Sequence, residues 1–223
     1  MMLAPENQAG QGNQLSIHLF YINLEHRTDR LQQVSAEVAK VADLVAAVTR
    51  INAIHDKQNG AIGCAASHIL ALSEFLFKTM EDFALIMEDD FEFTLEPDRV
   101  KEAFARSIDA GQFDVIQLAY NKPIASRPNS HGLIRIYRSY TTSGYVVTRA
   151  FAYRLVSCFL ESHRLLSQNR NVGPNPVVNE LWAVDSWWNN VQSEFRFYGF
   201  APPLGRQRPS FSDVVGKSVN YGV

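Results

Sequence analysis

Apolar and polar residues alternate along this chain with two different periods, which predict strands and helices in turn. Residues 16–24 form a strand pattern, and residues 84–87 form an unbroken apolar run, which is typical of an inner strand covered on both faces. After the first strand, apolar residues recur every three or four positions and predict a helix. This helical stripe consists of Leu31, Val34, Val38, Val41 and Val45.

The rest of the chain repeats these patterns with shorter connections. Further strands are predicted at 48–54, 113–120, 133–139, 141–148 and 195–201, and further helices at 65–76, 97–110 and 151–166. Strands and helices alternate over the first 120 residues, which predicts a mostly parallel sheet with helices on both faces. The later strands follow one another more closely and are expected to add antiparallel edge strands. The predicted fold class is therefore α/β.

The length and composition agree with one globular domain. The chain has 223 residues, of which 46% are hydrophobic, so it can bury a sizeable core. Residues 1–14 are rich in Gln, Asn and Gly and are predicted to be a disordered tail. We expect a single domain over 15–223, with the polar segment 202–223 folding back over the functional site.

The net charge excludes some classes of partner, and the cysteine content and hydropathy predict the cellular compartment. A net charge of −2 gives no electrostatic basis for binding nucleic acid or an anionic membrane. Cys64 and Cys158 have no metal-site spacing and are expected to be buried thiols in a reducing compartment. No stretch approaches the roughly 20 apolar residues of a transmembrane helix, and the N-terminus lacks a signal pattern. The expected location is the cytoplasm, including the cytosolic face of a membrane for a peripheral protein.

Three consecutive carboxylates, Glu88, Asp89 and Asp90, follow the apolar run at 84–87. They would lie at the carboxyl edge of the sheet, where α/β proteins bind ligands. Clustered carboxylates repel one another unless a cation compensates them, and Mg2+ or Mn2+ with bound phosphate oxygens would do so. If the chain stays extended, Glu88 and Asp90 share one face about 7 Å apart and Asp89 points away. A solvated acidic turn explains the same residues about equally well.

Polar residues that follow the first strand are candidates for the same edge of the sheet. Asn23, Arg27 and Arg30 lie there, and two arginines in this position suit a diphosphate. A solvated basic turn, in which the arginines pair with Glu25 and Asp29, is the simpler interpretation.

A small-residue motif precedes the acidic strand and includes Gly63, Ser67 and His68. Glycine permits the close approach of a ligand or of a neighbouring helix. The first turns of a helix favour anions because their N–H groups are free. A single histidine here is by default a structural residue, and a role in a pocket is the second interpretation.

Two further signals lie in the second half of the chain. Gly144 falls inside a predicted strand, which indicates close approach of a backbone or ligand. Asp185 lies among Trp182, Trp187 and Trp188, whose rings either fill the core or stack on a sugar. A carboxylate beside such rings would have a raised pKa and could act as a general base.

These segments together resemble glycosyltransferase family 25, which includes bacterial lipooligosaccharide galactosyltransferases and related collagen galactosyltransferase domains. The resemblance covers about residues 16–213 and depends on the order and spacing of several motifs. The motifs are Tyr21-Ile22-Asn23-Leu24 with Arg27 and Arg30; Gly60-x-Ile62-Gly63-Cys64-x-x-Ser67-His68; Leu85-Ile86-Met87-Glu88-Asp89-Asp90; Ser143-Gly144-Tyr145-Val146-Val147; and Val184-Asp185.

The resemblance implies a GT-A fold, a UDP-sugar donor and inversion at the anomeric carbon. It implies that Asp90 and Glu88 hold Mn2+ or Mg2+ on the donor diphosphate, and that Glu88 or Asp89 approaches the ribose or the sugar. Asp185 is the expected catalytic base, and Asp213 is the second choice. The other residues expected to contact the donor are Asn23, Arg27, Arg30, Gly63, Ser67, His68, Gly144, Gln207 and Ser212.

The resemblance thus implies a metal-dependent, inverting glycosyltransferase. It would move galactose or glucose from a UDP-sugar to a glycan, a lipid-linked glycan or another hydroxyl acceptor, as in lipopolysaccharide biosynthesis. Two alternatives stay open. One is an inactive GT-A-like protein that binds a nucleotide or glycan without turnover. The other is a Mg2+-dependent phosphotransferase, for which Glu88 is a poor nucleophile.

Overall fold

The computed structural model describes residues 15–109, 112–170, 180–212 and 217–219. The predicted tail over 1–14 lies outside these ranges, as do residues 213–216 and 220–223 of the C-terminal segment. The single domain over 15–223 stays a prediction.

The described residues form alternating strands and helices, named here in chain order. The helices are α1 (Thr28–Ala39), α2 (Gly60–Lys78), α3 (Pro97–Asp109), α4 (Arg149–Gln168), α5 (Val184–Trp187) and α6 (Asn189–Gln192). The strands are β1 (Leu15–Asn23), β2 (Val45–Asn52), β3 (Phe83–Glu88), β4 (Phe91–Phe93), β5 (Val115–Gln117), β6 (Asn121–Ala125), β7 (Leu133–Tyr140), β8 (Gly144–Thr148), β9 (Phe197–Phe200), β10 (Gly205–Gln207), β11 (Ser210–Ser212) and β12 (Lys217–Val219).

An eight-stranded sheet organises the fold, in the order β2-β1-β3-β8-β5-β9-β7-β6. β1 pairs in parallel with β2 and β3, and β5 pairs in parallel with β9, whereas the other neighbours are antiparallel. All strands of this sheet except β7 and β8 therefore run in one direction. The predicted α/β class with a mostly parallel sheet is confirmed.

Strand β8 is antiparallel to its neighbours and lies inside the sheet, between β3 and β5. The prediction that the antiparallel strands lie at the edges of the sheet is wrong for β8. Its residues 144–147 are all buried, which agrees with a strand that has a neighbouring strand on each side and packed side chains on both faces. Gly144 permits the position, because a Cβ there would lie 2.5 Å from the ring of Phe91. The close approach predicted at Gly144 is therefore to the protein's own core.

Alternation along β1 and β3 divides the core into two layers. Phe20 and Ile86 pack on the layer that includes residues of α2 and α4. Leu19 and Leu85 pack on the layer that includes residues of α1 and α3. Helices therefore cover both faces of the sheet, as predicted, and residues 84–87 are fully buried between them.

Helix α1 is shorter than its apolar stripe predicts. It ends at Ala39, and Val45 is the first residue of β2. Val41 and Val45 are nevertheless buried in the same core layer as Val34 of the helix. Spacing alone does not separate one long helix from a helix, a turn and a strand that all pack on the same layer.

Helix α2 is the one helix in the described ranges that is long and apolar enough, by length and composition, to cross a membrane. The hydropathy of the sequence predicted no such segment. In the structure 56% of its apolar window is buried inside the protein, and α2 packs against α4. The core helix of a globular protein passes the same test.

Beyond the end of β3 the chain turns and forms a small antiparallel ribbon of β4 and β10. Gly205 allows the two strands to approach, because a Cβ at this position would overlap the ring of Phe91. The ribbon brings Gln207 to the acidic end of β3, where its side chain contacts Asp90. Part of the C-terminal segment thus lies beside the carboxylates.

Candidate functional site

A cavity lies at the carboxyl ends of β1, β2 and β3, the edge at which open α/β sheets bind ligands. Its lining comes from the loop after β2, the first turns of α2, the acidic turn after β3, the residues before β8 and the start of α5. The predicted site residues that line it are Arg30, Ser67, His68, Glu88, Asp89, Asp90, Asp185 and Gln207.

Glu88 ends β3 and is held by two neighbours. Its Oε1 accepts hydrogen bonds from His68 Nε2 at 3.2 Å and from Thr142 Oγ1 at 2.9 Å. Burial opposes ionisation of Glu88, but the hydrogen bond and charge of His68, together with Thr142, outweigh it and lower the pKa. Glu88 is therefore an anion at neutral pH.

Asp89 is held by side chains from β1 and α1. Its Oδ2 accepts a hydrogen bond from Asn23 Nδ2 at 2.8 Å, and its Oδ1 accepts one from Arg30 Nη1 at 2.7 Å. Asn23 Oδ1 in turn accepts a hydrogen bond from Arg50 Nη2 at 2.8 Å. Burial raises the pKa of Asp89, while Arg30 and Asn23 counteract it. Because both oxygens are engaged, these contacts favour a structural role over the expected contact with the donor.

Asp90 is the least compensated of the three carboxylates. Its Oδ2 accepts a hydrogen bond from Gln207 Nε2 at 3.1 Å and lies 3.4 Å from Arg30 Nη1. Its Oδ1 is buried and has no hydrogen-bond partner among the residues that the structure describes. Burial first, and then the negative charge of Glu88, raises the pKa of Asp90 to about 7. A cation at this position would relieve both effects.

The expectation that Asp89 points away from Glu88 and Asp90 is wrong. β3 ends at Glu88, and Asp89 and Asp90 form a turn, so strict alternation no longer applies. Arg30 Nη1 lies within 4.0 Å of both aspartates as a result. All three carboxylates line the same cavity.

Replacing Asp89 with alanine is expected to lower the free energy of unfolding by about 3 kcal/mol or more, because it removes the carboxylate that accepts a hydrogen bond from the buried Arg30 at 2.7 Å. The measurement is urea unfolding at neutral pH. The control is Asp29→Ala, which removes an ion pair whose carboxylate is 61% exposed and should change stability by less than about 0.5 kcal/mol. Equal effects of the two variants would contradict the structural role of Asp89.

Asp185 is the second residue of the short helix α5 and shares the cavity with Glu88. Burial first, and then the negative charge of Glu88, raises the pKa of Asp185 to about 6. The neighbouring Trp188 is fully buried, and Trp182 and Trp187 pack against the same core. The tryptophans therefore fill the core, which was the commoner of the two interpretations.

His68 and Cys64 face the acidic end of β3 from one side of α2. His68 is fully buried, and its Nδ1 lies 3.2 Å from the hydroxyl of Tyr145. Burial, and then the charge of Glu88, raises the pKa of the Cys64 thiol well above its usual range. The ligand atoms of Cys64, His68 and Glu88 all lie within 4.8 Å of one another.

The small-residue motif at the start of α2 is engaged with the loop after β2. Ser67 Oγ donates to the carbonyl of Gly63 at 2.7 Å and accepts from the N–H of Ile54 at 2.8 Å. A Cβ at Gly63 would overlap the carbonyl oxygen of Ile54. The close approach predicted at Gly63 is therefore to protein backbone, although Ser67 also lines the cavity.

The remaining predicted residues lie apart from the cavity or outside the described structure. Arg27 pairs with Asp29 through contacts of 2.9 and 2.8 Å, which is the arrangement of the simpler interpretation. Asn23 is fully buried behind Asp89. Ser212 belongs to β11, but its side chain is outside the described part, as is all of Asp213.

Thr141 and Thr142 line the cavity but are not among the site residues predicted from the sequence. Thr141 has a φ of 75°, a left-handed conformation that is unusual for a β-branched residue. Its Oγ1 donates to Gln207 Oε1 at 3.3 Å. The predicted strand over 141–148 placed both threonines inside a regular element, whereas β8 begins only at Gly144.

Comparison with known proteins supports the fold. No protein-family model and no curated protein sequence matches this chain. A solved structure described as mannose-1-phosphate geranyltransferase from Thermus thermophilus is 12% identical, covers 87% of this chain and 75% of its own, and has a TM-score of 0.51. A glycosyltransferase involved in the glycosylation of the major capsid of PBCV-1 is 9% identical, covers 82% and 91%, and has a TM-score of 0.41.

The first of these similarities shows a shared fold and nothing about activity, because the identity is low. The GT-A-like fold expected from the sequence is thereby confirmed. Membership of family 25 has no support from any family model.

Proposed function

We propose that this protein is a glycosyltransferase that moves galactose or glucose from a UDP-sugar to a hydroxyl group, with inversion at the anomeric carbon. The observation that carries the proposal is that Glu88, Asp90 and Asp185 share one cavity at the carboxyl edge of the sheet. The GT-A-like fold supports it. The acceptor is a glycan, free or lipid-linked, or another hydroxyl compound in the cytoplasm or at the cytosolic face of a membrane.

Asp90 and Glu88 fit a hard divalent ion such as Mn2+ or Mg2+. The support is the buried Oδ1 of Asp90, which has no hydrogen-bond partner among the described residues, beside the ionised Glu88. When bound, the ion acts as a Lewis acid that neutralises the charge developing on the leaving diphosphate. Gln207 and Arg30 orient Asp90 for this purpose through its Oδ2.

Asp185 is the proposed general base. Inversion by single displacement requires one base on the acceptor side. The acceptor O–H proton passes to the carboxylate of Asp185, the acceptor oxygen bonds to the anomeric carbon, and the bond from that carbon to the diphosphate oxygen breaks. A pKa of about 6 keeps Asp185 ionised at neutral pH yet basic enough to accept a proton.

Arg30 is the proposed cation on the diphosphate side, because it is the arginine of the predicted pair that lines the cavity. Its guanidinium already holds Asp89 and lies close to Asp90. It therefore tethers the acidic turn to α1 and contributes positive charge near the site of the leaving group. His68 acts on the same side by holding Glu88.

The experiment that tests the proposal is calorimetric titration of the protein with UDP, and with GDP and CMP as controls, in Mn2+ and again in EDTA. We expect binding of UDP that requires the metal and exceeds that of the other nucleotides. UDP release from UDP-galactose and UDP-glucose is then measured with glycan acceptors.

Other outcomes of these measurements would indicate a different function. Nucleotide binding without transfer or donor hydrolysis would indicate an inactive relative that only binds. Phosphate release from a simple ester would indicate a phosphotransferase. Pyrophosphate release from UTP and a sugar phosphate would indicate nucleotidyl transfer. Absence of binding to any nucleotide would overturn the proposal.

A further inference from the structure

The Cys64, His68 and Glu88 side chains form a group of metal-ligand type that the proposed reaction does not use as a unit. Cys64 and His68 lie four residues apart on α2 and therefore project from one face of the helix. Glu88 reaches them from the end of β3. One sulfur, one nitrogen and one oxygen ligand thus converge within 4.8 Å of one another.

We propose that Cys64, His68 and Glu88 form a second metal site, selective for a soft transition ion such as Zn2+, whose occupation withdraws Glu88 from the donor metal. Thiolate and imidazole ligands select Zn2+ over Mg2+, which prefers oxygen ligands throughout. The site is distinct from the proposed Asp90 and Glu88 pair but shares one carboxylate with it.

The distances suit tetrahedral coordination with modest adjustment. Ligand atoms at the usual zinc distances stand about 3.3–3.6 Å apart. His68 Nε2 and Glu88 Oε1 are already 3.2 Å apart. The Cys64 sulfur lies within 4.8 Å of both atoms, so it has to approach them by at most about 1.3 Å. All three residues line the cavity, so an ion can enter and the fourth position can hold water.

A hydrogen-bond partner that would orient His68 in this site is also present. His68 Nδ1 lies 3.2 Å from the Tyr145 hydroxyl, which can donate or accept a hydrogen bond. When Nε2 binds a metal, Nδ1 carries the proton. Its N–H donates a hydrogen bond to the Tyr145 hydroxyl, which fixes the orientation of the imidazole ring. Without metal, Nε2 donates to Glu88, and the Tyr145 hydroxyl pairs with Nδ1 as acceptor or donor. The same three side chains therefore satisfy both states.

The charges of the site balance when the ion is bound. Cys64 loses its proton to solvent on binding, so a thiolate and the Glu88 carboxylate together neutralise a divalent ion. The carboxylates of Asp90 and Asp185 line the same cavity, and added positive charge there lowers their mutual repulsion. A soft cation is thus electrostatically favoured in the pocket.

The test is titration of the metal-free, reduced protein with Co2+ in the absence of nucleotide, followed by absorption spectroscopy. We expect one Co2+ per chain with a thiolate-to-cobalt charge-transfer band, which Zn2+ abolishes by displacement. Cys64→Ser should lose the band. Cys158→Ser, which changes the other cysteine of the chain, should keep it.

A conservative variant tests the hydrogen bond between Tyr145 and His68. Tyr145→Phe should keep the charge-transfer band but lower Co2+ affinity about tenfold or more. Circular dichroism confirms that each variant is folded. The absence of a charge-transfer band in the folded wild-type protein, or a band that survives in Cys64→Ser, would overturn the proposal.

The shared carboxylate makes the two sites mutually exclusive, and this consequence rests on the proposed function. Zn2+ should release bound Mn2+ from the wild-type protein, as measured by the paramagnetic resonance of free Mn2+, and release less from Cys64→Ser. Failure of Mn2+ to bind at all would contradict only the proposed donor-metal site. The cobalt spectrum tests the site of Cys64, His68 and Glu88 independently.

Discussion

Asp90→Ala is expected to abolish metal-dependent binding of UDP and, with it, sugar transfer. Asp90 has the buried oxygen without a hydrogen-bond partner among the described residues, and its removal leaves Glu88 as the sole carboxylate of the proposed pair. Calorimetric titration with UDP in Mn2+ should show at least about a 100-fold loss of affinity, corresponding to several kcal/mol of metal interaction. In EDTA the variant and the wild type should be alike.

The control for this prediction lies at the opposite end of the same strand. Asp82 immediately precedes β3 and is exposed, so Asp82→Ala removes one negative charge from the chain without touching the cavity. It should bind UDP as the wild type does. Full transfer activity in Asp90→Ala would refute the assignment of Asp90 to the metal.

The ionised carboxylate of Asp90 is expected to make the metal-free protein less stable. Its pKa in the folded state is raised from 3.8 to about 7, so the folded protein holds this proton more tightly than the unfolded chain. The favourable contribution is present below pH 4 and is lost as the pH rises toward 7. Above pH 7, the free energy of unfolding of Asp90→Asn should therefore be about 1–3 kcal/mol higher than that of the wild type.

That gain should disappear below pH 4, where the wild-type carboxyl is protonated too. Chemical denaturation at the two pH values, in EDTA, measures the difference. Addition of Mn2+ above pH 7 should raise the unfolding temperature of the wild type and not that of Asp90→Asn. A less stable Asp90→Asn at high pH would show that Arg30 compensates the carboxylate fully.

Asp185→Asn is expected to spare UDP binding and to lower kcat by about 10²–10⁴-fold, the usual contribution of a general base. The wild-type kcat/KM should fall below about pH 6, because the raised pKa of Asp185 leaves the base protonated there. The variant should lose this acidic limb. Glu194→Gln, an exposed carboxylate on the segment after α6, is the control and should behave as the wild type.

The same measurement decides between the two candidate bases. Asp213→Asn is expected to retain the acidic limb, since the proposed base is Asp185, which lines the cavity with Glu88. Retention of the limb in Asp185→Asn and its loss in Asp213→Asn would transfer the role to Asp213.

Several elements were predictable because their signals are local. The run at 84–87 predicted a buried inner strand, and β3 is fully buried there. The helical stripe after residue 65 predicted α2, although the helix begins five residues earlier, where Asn59 caps it by accepting a hydrogen bond from Ala61 N–H. The acidic residues after β3 could be placed at the carboxyl edge of the sheet from topology alone.

Other features depended on partners that are remote in sequence. Asp89 turns toward Arg30 and Asn23, which precede it by 59 and 66 residues. Strand β8 lies between β3 and β5, and its residues 144–147 are buried there. Both neighbouring strands are distant from β8 in the sequence. The left-handed Thr141 is tied to Gln207, 66 residues away, and no local pattern indicates such a contact.

The sequence by itself determined the alternation of strands and helices, the acidic end of the central strand and the small-residue entry to α2, because hydrophobic period and residue size act over a few neighbouring positions. Only the tertiary structure decided which carboxylate is compensated and which is not. Arg30 and Asn23 reach Asp89, whereas Asp90 keeps a buried oxygen without a partner among the described residues. The physical reason is that burial and charge compensation depend on side chains that are distant in the sequence and meet only in the folded protein. The local pattern of residues does not predict these contacts.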